Sequence, residues 1–133
     1  MPPDLPQPGS AEDWLRHAES DFALCSHPPF ENVLLESLCF HAQQAVEKSI
    51  KAVLVFHGVS FPRTHDIAAL VTSIRNAGIH WSDDLDEAVD LTEYAVALRY
   101  PGIHLAVDAD ELKRAVEIAH RVPVWSRDSI LQS

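Results

Sequence analysis

The sequence predicts an all-α protein, an up-and-down bundle of about five helices with a long central second helix. Three observations point there. Apolar residues recur at i, i+3, i+4 and i+7 along most of the chain. Glycine is rare, with 4 residues, and four of the 9 prolines fall within the first eight positions, so the body of the chain holds few helix breakers. No alternating run of convincing strand length interrupts the pattern.

The elements follow in order. Residues 1–9 form a Pro-rich arm, expected to be disordered. Ser10, with Asp13 three residues on, makes a start resembling a capping box, and Trp14, Leu15, Ala18, Phe22 and Cys25 then recur on one face. His27-Pro28-Pro29 stops this helix, because a residue before proline avoids the helical region. The second helix is expected from near Phe30 to Phe56 or His57, with Gly58 terminating it. Leu35, Leu38, Ala42, Ala45, Ser49, Ala52 and Phe56 make its main stripe. Val46, Ile50, Val53 and Leu54 widen that stripe until the helix must touch several neighbours.

Thr64 or Asp66 caps a third helix carrying Ile67, Leu70, Val71 and Ile74, which ends at Asn76-Ala77-Gly78. Ser82 is expected to cap a fourth, whose acidic first turns suit the positive end of a helix dipole. Leu85, Ala88, Leu91, Ala95 and Leu98 face inward on it, and Pro101-Gly102 ends it. Asp108 with Glu111 caps a fifth helix, which Pro123 ends or kinks. The organisation is therefore one helical domain over residues 10–126, with the arm before it and a tail over 127–133.

At 133 residues the chain is long enough for one proper core. Its 10 basic residues stand against 20 acidic ones, for a net charge of −10. Nonspecific nucleic-acid binding draws on lysine and arginine neutralising phosphates, so a broad nucleic-acid surface, and DNA binding with it, is not expected. Cys25 and Cys39 form no metal-binding spacing, and two free thiols fit a reducing cytoplasm. The N-terminus lacks the basic and apolar regions of a signal peptide, and no apolar run reaches membrane-spanning length. A cytoplasmic protein without membrane contact is the expectation.

Two stretches carry the polar chemistry. In FHAQQAVEKSIKAVLVFHG, residues 40–58, Gln43, Glu47 and Lys51 lie four apart on one face, as do Gln44 and Lys48. Read by spacing alone this is a solvated stripe with a favourable Glu47–Lys51 pair. His41 and His57 are too far apart on the helix to share a metal, and the single Glu117-x-x-His120 lacks the second unit that a di-metal bundle needs. No metal and no cofactor is expected. In LRYPGIH, residues 98–104, Arg99 and His104 are separated by four residues. Brought together, a histidine acts as general acid or base and an arginine stabilises charge on phosphorus, which is metal-free phosphodiester chemistry. The plainer reading is a helix C-terminus, with Arg99 favouring the dipole and Pro101 stopping the helix.

Taken together, FHAQQAVEKSIKAVLVFHG, PRTHDIAALV and ALRYPG resemble the HEPN domain family, over roughly residues 12–122. The resemblance implies a four- to five-helix bundle, usually a homodimer, often encoded beside a minimal nucleotidyltransferase in a toxin–antitoxin-like pair. It implies an interaction and nucleotide-binding module acting with that separate partner. The alternative it implies is a metal-independent endoribonuclease, in which Arg99 and His104 of an R-x4-H motif meet across a dimer interface with RNA as substrate. The motif departs from the ribonuclease pattern in Tyr100, directly after the arginine, and in the Pro101-Gly102 break. The resemblance also gives the AQQAVEKSIK face a role beyond solvation. Gln43, Gln44, Glu47 and Lys48 are expected to meet the Thr64-His65-Asp66 turn or to line the groove holding Arg99, and Lys51 is a further candidate for a polar cluster or nucleotide site. A cluster of Lys48, His65, Asp66, Arg99 and Tyr100 would then be structural or would hold a nucleotide phosphate.

Overall fold

The computed structural model describes residues 5–28, 31–97 and 106–131. Among these residues the chain forms five α-helices and one 3-10 segment, and no strand. The helices are α1 (Ala11–Ser26), α2 (Leu35–Phe56), α3 (Ile67–Asn76), α4 (Thr92–Ala97) and α5 (Ala109–Leu131), with the 3-10 segment Asp83–Leu91 before α4.

The starts are local chemistry. Ser10 Oγ accepts from the Asp13 amide at 3.2 Å, and the Asp13 carboxylate accepts from the Gly9 amide at 3.0 Å, one residue before the cap. Asp66 Oδ1 accepts from Ala68 N at 3.0 Å, and Asp108 Oδ1 from Glu111 N at 2.8 Å. The ends of α2 and α3 share one device. Gly58 and Gly78 take φ of +68° and +75°, and the next amides, of Val59 and Ile79, donate back to Leu54 O and Ile74 O at 2.9 and 3.1 Å. Left-handed backbone is open to glycine at little cost, and the back-donated bonds occupy carbonyls that the helix ends leave over.

α2 is the centre of the bundle and packs against α1, α3, α4, α5 and the 3-10 segment. Ala42, Ala45, Val46, Ile50, Ala52, Val53 and Leu54 are wholly buried. The expected stripe fails at its last member: Phe56, the last residue of α2, is 42% exposed. α2 starts at Leu35 rather than near Phe30: residues 31–34 are not helical, and Asn32 takes a left-handed φ of +70° that a helix cannot continue through. The inward Leu98 lies outside the described residues.

Two elements differ from expectation for physical reasons. Residues 83–91 form a 3-10 segment rather than an α-helix. Its buried residues are Leu85, Ala88 and Leu91, a spacing of three, which a helix of three residues per turn lines up on one face. Ser82 makes no capping bond there; its hydroxyl donates to the Asp84 carboxylate instead. Pro123 does not end α5, which continues through residues 127–131, set apart by the sequence as a tail. Two bonds beyond the proline hold that continuation in place. Ser126 Oγ donates to Ser49 O at 2.8 Å, and Trp125 Nε1 donates to His80 O at 2.9 Å.

Candidate functional site: a buried carboxylate network on the central helix

The polar face of α2 is not solvated. Gln43 is fully buried, Glu47 is 2% exposed and Lys51 is 8% exposed. Glu47 gathers three donors. Gln43 Nε2 and His65 Nδ1 meet Oε1 at 2.9 and 2.8 Å, and Lys51 Nζ meets Oε2 at 2.9 Å. An ionised carboxylate only accepts, so His65 carries its proton on Nδ1. Gln43 Nε2 also reaches His65 O at 3.4 Å, and Gln44 Nε2 donates to Gln43 Oε1 at 2.7 Å. The network thus fixes the turn before α3 to the middle of α2.

Lys51 is enclosed further by two rings. Its Nζ lies 5.4 Å from the Trp14 centroid, on α1, and 6.0 Å from the Phe61 centroid, in the connection after α2. A desolvated ammonium over aromatic faces gains cation–π attraction. Burial pushes the Glu47 carboxyl up, but bonds from Gln43, Lys51 and His65 outweigh it and hold the group below its ordinary value.

A second carboxylate repeats the arrangement between α1 and α2. Asp21 Oδ1 meets His41 Nδ1 at 2.9 Å, and its Oδ2 meets Lys48 Nζ at 2.7 Å. Each acid therefore divides its oxygens between one imidazole and one lysine. Asp21 was missed by sequence reasoning. The signal was an acid within the inward spacing Ala18, Asp21, Cys25, all three of which are buried. An acid at a core position of an amphipathic helix needs a partner.

The other candidates are placed as follows. Lys48 is held by Asp21 rather than gathered with His65, and Asp66 caps α3. Arg99, Tyr100 and His104 lie outside the described residues. Where the 3-10 segment passes into α4, beside the start of α5, a cleft of about 490 Å³ is lined by Glu87, Asp90, Glu93, Tyr94, Glu111 and Arg114 among others. Tyr94 Oη donates to Glu111 Oε1 at 2.5 Å there; burial first, and then this carboxylate, push the phenol above its ordinary range. Its four carboxylates suit a phosphate poorly. Among the described residues no group of three or more His, Cys, Asp or Glu could hold a metal ion, and no helix is long and apolar enough to cross a membrane.

A model of the HEPN domain matches residues 11–129, nearly the full length of the bundle. The chain belongs to the HEPN domain family. Neither the curated proteins nor the solved structures hold a match to it. As a HEPN domain it is a nucleotide- or RNA-related module. In this HEPN domain the AQQAVEKSIK segment supplies the buried network, with Gln43, Glu47 and Lys51 pointing into it and Lys48 bridging to α1.

Proposed function

We propose that this HEPN domain is an interaction module that works as a homodimer with a separate minimal nucleotidyltransferase, in a two-gene system of the toxin–antitoxin kind. The observation that carries this reading is the neutralisation of both lysines of the AQQAVEKSIK segment. Lys48 is paired at 2.7 Å and Lys51 at 2.9 Å with carboxylates that are largely buried. A phosphate reaching either ammonium has to displace a carboxylate and leave it desolvated without its partner, which is strongly unfavourable. Arg16, Arg75, Arg121 and Arg127 are likewise in ion pairs. A chain of net charge −10 in which six of the nine described lysines and arginines are so engaged is better built to meet a protein than to track a nucleic-acid backbone. Arg99 and Tyr100 remain the nucleotide contacts in this proposal.

The test is co-expression with a minimal nucleotidyltransferase, followed by size-exclusion chromatography. Co-elution at a fixed ratio that survives moderate salt supports the proposal. Separate elution, together with metal-independent cleavage of RNA by this chain alone, supports the endoribonuclease reading through Arg99 and His104.

A further inference from the structure

A cleft of about 740 Å³ opens where the end of α2, the 77–82 turn and α5 meet. None of its lining residues belongs to the Glu47 or Asp21 networks. Its size falls within the roughly 300–1,000 Å³ of small-molecule sites. Ile79, Leu85, Val124 and Trp125 supply an apolar wall, and Val124 is 47% exposed. The titratable groups that line it are His57, His80, Asp84, His120, Arg121 and Asp128.

The state of these groups decides what fits. Arg121 is occupied: its guanidinium lies 3.6 Å from the Asp84 carboxylate and 3.8 Å from that of Glu87, and it donates to Asp84 O at 3.4 Å. Asp128 makes no ion pair among the described residues. With histidine counted neutral, the one full charge left unbalanced in the cleft is therefore negative, in a chain of net charge −10 whose field attracts cations. His57, His80 and His120 come from three different elements, and none commits an imidazole nitrogen to another described residue. His57 and His120 make only ring contacts, with Phe56 and Phe22. His41 and His65 stand in contrast, each bound to a carboxylate. A neutral imidazole offers an acceptor nitrogen to an N–H donor. Trp125 has its indole N–H satisfied by His80 O and packs against Trp81, with a ring centroid separation of 4.8 Å. The indole is the best aromatic partner for a cation.

We propose that this cleft binds a small organic cation, an ammonium group joined to an apolar or aromatic body. The body lies against Ile79, Val124 and Trp125, and the ammonium is taken by Asp128 with the imidazoles as further acceptors.

The test uses three matched probes on the full chain at pH 8: phenethylamine, 2-phenylethanol and 3-phenylpropionate. Binding is followed by amide and indole chemical shifts in NMR. The expected result is saturable binding of the amine, with shifts confined to the cleft, including the Trp125 indole, and weaker binding of the alcohol and the acid. Asp128→Asn, an exposed substitution whose fold is checked by circular dichroism, should weaken the amine about fivefold and leave the alcohol unchanged. Equal or tighter binding of the acid, an amine affinity indifferent to Asp128→Asn, or no shift with any probe would each overturn the proposal.

Discussion

Glu47 accepts a hydrogen bond from Lys51, one turn further along α2, at 2.9 Å, and the two side chains are 3% and 10% exposed. This is not the surface i, i+4 pair that such spacing usually denotes. Both charges are inside the bundle, and each is also held by groups from other elements. Their energetic role follows from burial: removing one partner strands the other.

Glu47→Ala is therefore expected to cost about 3–5 kcal/mol of unfolding free energy, because Lys51 would be left buried without its counter-charge. Adding Lys51→Met should recover part of the loss, with a coupling of about 0.5–3 kcal/mol. Urea unfolding of the two single variants and the double variant measures this cycle. Strict additivity would show that the pair does not act as a unit.

The pH dependence has a definite sign. The folded pKa of Glu47 lies below its ordinary value of 4.5, since its three donors outweigh burial. The contribution is thus fully present above that value and is lost as pH falls through the folded pKa. Wild type is expected to exceed Glu47→Gln in stability at pH 7 by more than it does at pH 3.5. A gap that widens on acidification would contradict the geometry.

The two thiols should be inert in the folded chain. Burial first, and then the nearby Asp21, push Cys25 up to about 12; burial first, and then Glu111, push Cys39 up to about 11. The thiolate is the reactive form. A disulfide-exchange reagent at pH 8 should leave both cysteines unmodified in native buffer and react with both in denaturant. Fast native reaction would mean that the α1–α2 core opens readily.

Asp21→Asn is expected to destabilise by about 1–3 kcal/mol, since it weakens the partly buried bonds to Lys48 and His41 that join α1 to α2. Thermal unfolding reads the change. If Lys48 served phosphate binding instead, Lys48→Ala would abolish nucleotide binding and leave stability unchanged.

Most of the fold was legible because it is set locally. Ser10, Asp66 and Asp108 mark helix starts and Gly58 and Gly78 mark ends, each through bonds within a few residues. The 83–91 segment was misjudged because its apolar spacing of three was taken together with Ala95 as an α-helical face. The run of α5 past Pro123 depends on Ser126 meeting Ser49, a contact between residues 77 apart, which no local rule contains. In the candidate site, the spacing identifies Glu47 with Lys51 but not their burial. Burial arises from Trp14, on α1, and from Phe61 and His65, in the connection between α2 and α3. Asp21 illustrates the same limit: its partners lie on another helix, and only its inward position marks it.

This HEPN domain is proposed to bind a partner rather than to cut RNA. The most direct measurement is incubation of total RNA with the purified chain in EDTA, at a concentration where dimers persist, beside an Arg99→Ala, His104→Ala variant. Neither protein is expected to cleave. Cleavage by the wild type that disappears in the variant would contradict the proposal.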